Sequence, residues 1–282
     1  MSNILRSAII ANFILLSVIT TIAQDNKKAD EPRTGAFEEE DASTKIMLYY
    51  YVPKDYNPKE KYAVFVGNHG AGGSGKQLRD LMMRYIREEK KAEEGAKDGE
   101  NKGEQEKEPK PEPEKNWIIV CPTSPGCSKG NAGKTVSDAP VVATAAKNTI
   151  DSLSKMYNID KKHILAMGFS GGGYAVVSCF NKYPDTFTAM AACSINYGKS
   201  VGNAIGGGNN NRHVLVVYGE KDLSNIIAGA KRLQTDLKDN GYSNTKIIEI
   251  PGMGHKFGEV VIKEIWKWWD EEVTKVDKKK GK

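Results

Sequence analysis

Histidine and cysteine are both scarce, with four of each in 282 residues, and the arrangements they fail to make exclude whole classes of chemistry. His69, His163, His213 and His255 lie far apart and no His-Glu-x-x-His occurs, so the usual zinc-hydrolase pattern is missing and neither a metal nor a cofactor is expected. No stripe of lysine and arginine interleaved with aromatics is present, so nucleic acid is not an expected partner. The formal net charge of +5 comes mostly from the C-terminal KVDKKKGK, and residues 276–282 read as a solvated basic tail. Between Arg87 and Lys115 there is almost no apolar residue beyond alanine. Such a segment cannot offset its ordering entropy by burial, so 88–115 reads as a disordered charged insert.

One stretch alone, Ala8 to Ala23, approaches bilayer-spanning length. An arginine precedes it, and small residues Thr21 and Ala23 flank a cut before Gln24. That is the layout of a secretory signal peptide over residues 1–23, with an uncleaved anchor as the rival. The expected destination is extracytoplasmic, secreted or periplasmic, with no stable membrane insertion after cleavage. In an oxidising compartment Cys121 could bridge to Cys127, and Cys179 to Cys193; the alternative is four inert thiols. Residues 24–44 are polar and aperiodic and read as a flexible linker.

From 45 to 275 strands and helices alternate. KIMLYYYV, YAVFVGN, WIIVCP, HILAMGF, TAMAACS, HVLVVYG and TKIIEIP are strand-like. Helices are expected with Leu78, Leu81, Met82, Tyr85 and Ile86 on one face, from about Asp138 to Tyr157, from Gly172 to Tyr183, from Ile226 to Asp239, and from Gly258 to Val273. Short apolar strands separated by helices predict an α/β fold with a mostly parallel sheet covered on both faces. Ligands in such sheets bind beyond the carboxyl ends of the strands.

Three chemistry-bearing residues fall at those ends. Gly168-Phe169-Ser170-Gly171-Gly172 follows an apolar strand and opens a helix, a tight turn that pushes a serine hydroxyl outward. A serine needs a base. His163 and His213 sit at strand starts, the wrong edge, whereas His255 follows a strand end in Gly-Met-Gly-His. The base needs an acid to hold its tautomer. Asp222, three residues beyond Gly219, is favoured over Glu220.

The opening loop, VFVGNHGAGGSGKQL, resembles several motifs. Gly70, Gly75 and Lys76 fit a phosphate-binding loop, but Gln77 stands where Ser or Thr would ligate magnesium. GNAGKT, from Gly130 to Thr135, is another near-match to that loop, with Ser128 in place of its first glycine. The Gly70-x-Gly72-x-x-Gly75 dinucleotide fingerprint lacks its acidic partner some twenty residues on.

Taken together, His69-Gly70, the Ser170 turn, Gly219-x-x-Asp222 and Gly254-His255 resemble an α/β-hydrolase of the esterase type over about Tyr50 to Trp269. The pattern is similar to secreted polyhydroxybutyrate-depolymerase-like and feruloyl-esterase-like proteins, and to dienelactone-hydrolase-like ones. The resemblance implies an α/β-hydrolase fold and a carboxylic ester hydrolase working through an acyl-enzyme, with a Ser170–His255–Asp222 triad. It also implies an oxyanion hole made by the amides of Gly171 and Ala71, with Gly72 as the alternative to Ala71. His69, Asn196 and Tyr197 are candidate substrate contacts. The rival functions are a serine peptidase of the prolyl-oligopeptidase type and a non-catalytic binding protein. The short connection between TAMAACS and HVLVVYG leaves no room for a large cap domain. An open site for small-molecule or polymeric esters follows; oligomeric state is not encoded legibly.

The charged insert follows the helix that leaves the opening loop, which places it at the sheet edge opposite Ser170. Deleting Glu88 to Glu114 is therefore expected to leave turnover nearly intact. A large fall in kcat in a soluble, folded deletion variant would refute that placement.

Overall fold

The computed structural model describes residues 32–84, 116–198, 204–206 and 210–274. The expected signal peptide, the insert at 88–115, the tail at 276–282 and the helix-face residues Tyr85 and Ile86 lie outside them. Two compact units divide the chain between Arg33 and Thr34; the second contains every element that follows. Eight strands form one sheet in the order β1-β2-β4-β3-β5-β6-β7-β8. They are β1 (Gly35–Glu40), β2 (Met47–Val52), β3 (Tyr62–Asn68), β4 (Trp117–Pro122), β5 (Ile159–Phe169), β6 (Ala189–Cys193), β7 (His213–Gly219) and β8 (Thr245–Ile250). β1 and β2 pair antiparallel with each other, and β2 antiparallel with β4; all other pairs are parallel.

The helices are α1 over residues 75–84, α2 (Pro125–Ser128), α3 (Ala132–Met156), α4 (Gly173–Lys182), α5 (Ser224–Asp239) and α6 (Glu259–Trp268), the last running into a π-helical turn at Trp269–Thr274. Side chains that alternate along each central strand feed two cores. Val64, Val66, Ile118, Val120, Ile164, Ala166, Val214 and Val216 pack on one face with α3, α4 and α5. Phe65, Ile119, Leu165, Met167, Leu215 and Val217 pack on the other with α1 and α6. All four tryptophans, Trp117, Trp266, Trp268 and Trp269, join this second core. A strand buried on both faces has no polar alternation, which is why these strands read as continuous apolar runs.

Two boundaries differ from the sequence reading. Residues 35–40 are not linker but edge strand β1, in register with β2 from Gly35 opposite Val52 to Glu40 opposite Met47. Phe37 stacks on Tyr50 at 4.7 Å, and that one aromatic anchors an otherwise acidic, exposed edge of the kind that resists further strand pairing. Helix α3 starts at Ala132, six residues before the expected Asp138. Asn131 is its N-cap, its side chain accepting the Lys134 N–H at 2.9 Å, so GNAGKT is a capped helix start and not a phosphate loop.

Of the two readings of the cysteines, the structure has the inert thiols and neither candidate bridge: all four are free and buried. Cys179 belongs to the core on one sheet face and Cys193 to the core on the other, so the sheet itself separates them. Cys121 also points into the second core, whereas Cys127 donates from its thiol to the carbonyl of His69.

Helix α1 leaves the carboxyl edge of the sheet by passing hard against β4. A Cβ at Gly75 would lie 2.2 Å from the Cys121 carbonyl oxygen, and the Gly75 N–H donates to Thr123 Oγ1 at 2.8 Å. Gly75→Ala must push α1 off β4 and is expected to cost about 1–3 kcal/mol, the range for overpacked interiors. Equilibrium urea unfolding checks this, and an unchanged midpoint would contradict it.

Candidate active site

The carboxyl ends of β3, β5, β7 and β8 and the loops beyond them make the site. β5 ends at Phe169, and Ser170–Gly172 form a single 3₁₀ turn leading into α4. Ser170 has φ 49°, a left-handed conformation that costs a non-glycine residue about 1–3 kcal/mol and persists only when its surroundings impose it. Here they do. A Cβ at Gly172 would meet the Asn68 carbonyl oxygen at 2.2 Å, and one at Gly168 would meet the Gly172 carbonyl oxygen at 2.6 Å. The turn is folded back on itself and against β3, leaving the serine side chain as the group that projects.

Asp222 and His255 reach Ser170 because the loops after β7 and β8 are zipped together. Lys221 N–H donates to the Met253 carbonyl at 2.8 Å, the Gly252 N–H donates to Glu220 Oε2 at 2.7 Å, and a Cβ at Gly219 would lie 2.1 Å from the Met253 carbonyl oxygen. Glu220, the rival acid, is thereby used to hold the histidine loop. Asp222 has no exposed side-chain surface. Its Oδ1 accepts from the Leu223 N–H and from His255 Nδ1, both at 2.7 Å. His255 Nε2 stands 2.9 Å from Ser170 Oγ. With Nδ1–H donated to the carboxylate, Nε2 is left as an acceptor for the serine proton, the arrangement a general base requires. Phe169 stacks on the His255 ring at 5.1 Å and 27°, and Phe257 packs in turn on Phe169 at 5.5 Å. Phe169 confines the imidazole plane and Phe257 backs it; no periodicity in the sequence marked them. A Cβ at Gly70 would lie 2.7 Å from the Phe169 ring, which accounts for the glycine there.

The opening loop is held by the segment after β4. Cys127 thiol donates to His69 O, Gly72 N–H to Cys127 O at 2.9 Å, Ser128 Oγ to Gly73 O at 2.8 Å, and Ser124 N–H to His69 Nε2 at 3.1 Å. Gly72 is therefore not an oxyanion donor: its amide is already committed. The Ala71 amide nitrogen lies 3.5 Å from where a Cβ on Gly171 would stand, so the Ala71 and Gly171 backbones border one space beside Ser170. The sequence marked this segment only as a loop following a strand end; its clamping bonds are long-range and carry no local signature.

Two of the three candidate substrate contacts are structural instead. His69 is 5% exposed, with Nδ1 donating to Gly70 O at 2.8 Å and Nε2 accepting from Ser124, so neither ring nitrogen can meet a ligand. Tyr197 is 4% exposed; its hydroxyl donates to Asp236 Oδ2 at 2.7 Å and accepts the Ile205 N–H at 2.8 Å. Asn196 does stand beside the serine, its N–H donating to Ser170 O at 3.4 Å. Its side-chain Oδ1 accepts from Asn225 Nδ2 at 3.3 Å. Among the described residues no cluster of histidine, cysteine, aspartate or glutamate could hold a metal ion, and no helix is long and apolar enough to cross a membrane.

Solved structures superpose on this architecture. A ferulic acid esterase from Anaeromyces mucronatus, solved with ferulic acid, matches with a TM-score of 0.54 at 14% identity, over 88% of this chain and 92% of that one. Esterase 2 from Thermogutta terrifontis, with propionate bound, matches at 0.55 and 14%, over 84% and 94%. The chain has the α/β-hydrolase fold. A dipeptidyl aminopeptidase IV candidate from Bacteroides ovatus matches at 0.55 and 13%, over 85% of this chain. This chain spans about a third of that protein's length, 35%. No family model and no curated sequence matches the chain.

The neutral Nδ1–H tautomer of His69 has a consequence for pH. Burial holds its pKa below the usual 6.5, and protonated Nε2 could not accept from Ser124. A depressed folded pKa means the unfolded chain takes up the proton first as pH falls. The contribution of His69 is fully present above the ordinary imidazole pKa and is lost below it, down to the lowered folded value. Urea unfolding at pH 7.5 and 5.5 should show wild type losing more stability than His69→Gln. Equal losses would contradict the tautomer assignment.

Proposed function

We propose that this protein is an exported serine hydrolase that cleaves carboxylic esters through an acyl-enzyme. The observation that carries the reading is the continuous relay Asp222 Oδ1–His255–Ser170 Oγ, with links of 2.7 and 2.9 Å, ending on a serine in a strained, projecting turn. In this mechanism Ser170 Oγ attacks the ester carbonyl while His255 Nε2 takes its proton. The buried Asp222 carboxylate stabilises the imidazolium and keeps its orientation. The amides of Ala71 and Gly171 donate to the developing oxyanion; one such donor is worth about 2.7–4 kcal/mol in a related site. His255 then protonates the leaving alkoxide. A water molecule, deprotonated by the same imidazole, releases the acid and regenerates Ser170.

The esterase neighbours favour esters over other acyl compounds, and the peptidase neighbour names the alternative. Among the described residues between β6 and β7, none is helical, which supports an uncapped site suited to accessible esters. The export reading rests on residues 1–23 and does not need disulfides. Burial pushes the Cys127 thiol up to about 11 and the other three higher still, so all four stay as unreactive thiols at neutral pH.

A fluorophosphonate probe should label wild type and not Ser170→Ala, while Asp222→Asn is expected to lower kcat by roughly 10⁴-fold through loss of tautomer control. Turnover of p-nitrophenyl esters but not of aminoacyl-p-nitroanilides separates the ester reading from the peptidase one. Folded protein that neither labels nor turns over ester would leave a binding protein as the better account.

A further inference from the structure

We propose that a small cavity behind the Ser170 turn binds one water molecule on the side chain of Asn68, and that Asn68 acts through it as a positioning residue for the Gly171 amide. The second half rests on the esterase reading; the water site does not. The cavity encloses about 10 Å³, and its lining includes Asn68, Thr135, Gly171, Gly172 and Ala175. Roughly 10–15 Å³ admits a single water, which stays where polar groups receive it.

Asn68 supplies the first of those groups. Along β3 it shares a strand face with Val64 and Val66, which belong to the core packed by α3 and α4. Its side chain is therefore turned toward the side on which Thr135 and Ala175 stand. Asn68 is 3% exposed, and its Nδ2 donates to the Met167 carbonyl of β5 at 2.9 Å. Only the nitrogen of an amide can donate to a carbonyl, which fixes the remaining atom as Oδ1. That oxygen is buried, and no group among the described residues donates to it. A buried acceptor needs a donor, and a space of this size admits water and nothing larger. The second proton of that water goes to Thr135 Oγ1. The Thr135 hydroxyl gives its own proton to Asn131 O at 2.7 Å, which leaves its lone pairs to accept.

The consequence for catalysis follows from what else meets this spot. Gly172 packs on the Asn68 peptide so tightly that a Cβ there would lie 2.2 Å from the Asn68 carbonyl oxygen. The nucleophile turn thus rests on the backbone of Asn68. The Asn68 side chain holds that backbone from two directions, through Met167 on β5 and through the water to the start of α3. The next residue, His69, opens the loop that carries Ala71. Both amides that border the oxyanion space are therefore placed relative to one residue, which acts through the backbone and not on the substrate.

The test has a structural and a kinetic arm. A crystal structure of wild type should show a water within about 3.2 Å of Asn68 Oδ1. Clear density for the side chain with none for a water overturns the site. Kinetics compares wild type with Asn68→Leu, which removes both polar atoms at similar volume, and with Thr135→Val, which keeps the Met167 bond and removes the second partner of the water. Complete fluorophosphonate labelling selects folded sites, and Thr135→Val decides alone if Asn68→Leu does not label. For p-nitrophenyl acetate kcat should fall about tenfold or more with KM unchanged, since a displaced amide is felt in the transition state. Affinity for a trifluoromethyl ketone, which adds to Ser170 as an oxyanion, should fall by the same factor; a general weakening of the fold does not produce that match. Unchanged kcat and ketone affinity in labelled variants overturn the positioning role. Wild type that holds the water but neither labels nor turns over ester removes the esterase reading and the positioning role, and leaves the water site standing.

Discussion

Everything at the carboxyl edge of the sheet depends on one crowded backbone crossing. β5 ends against β3 so closely that Gly172 has no space for a Cβ beside the Asn68 carbonyl, 2.2 Å away, and Gly168 none beside Gly172. That contact forces Ser170 into φ 49° and starts α4 immediately after it. The strain is held in place because the strands beneath are fully buried parallel strands, which do not shift without disturbing both cores. The serine projects because the surrounding chain leaves it no other conformation.

Around this crossing two loop pairs are built by the same means, backbone against backbone. The β7 and β8 loops are joined through Lys221, Met253, Glu220 and Gly252, and this joint sets the 2.7 Å contact between Asp222 and His255. The opening loop is joined to the segment after β4 through His69, Gly72, Gly73 and Gly75, bonded to Ser124, Cys127, Ser128 and Thr123. Side chains then refine the geometry, Phe169 against the imidazole and Asn225 against Asn196, whose backbone N–H meets Ser170 O. An electrostatic site preorganised in this way does not need to rearrange as charge develops.

How much of this was legible depends on whether the signal was local. The central strands were legible because burial on both faces writes a continuous apolar run. The turn at Ser170 was legible because its glycines are adjacent to it in sequence. β1 was not, since an edge strand of sequence GAFEEE carries one apolar anchor and no alternation. The start of α3 was masked by Pro140, which discourages a helix reading, while the Asn131 cap that specifies it sits inside a near-match to a phosphate loop. His69 and Tyr197 were misjudged for a common reason. Each lies beside a glycine in a loop after a strand end, where ligand contacts are frequent, yet His69 is engaged by the adjacent Gly70 carbonyl and the distant Ser124 N–H, and Tyr197 by Ile205 and Asp236.

The sequence by itself determined the strand–helix order, the strand ends on which Ser170, Asp222 and His255 sit, and the glycines that let the chain turn sharply there. These follow from hydrophobic period and from the absence of a Cβ, which act over a few residues. Tertiary structure alone decided which amide of the opening loop is committed, which carboxylate meets the histidine, which polar side chains are spent on the fold, and that Cys179 and Cys193 lie on opposite faces of the sheet. Each of these is a matter of which distant backbone groups arrive within hydrogen-bond reach, and that is set by how the strands are ordered in the sheet, information that no short stretch of chain contains.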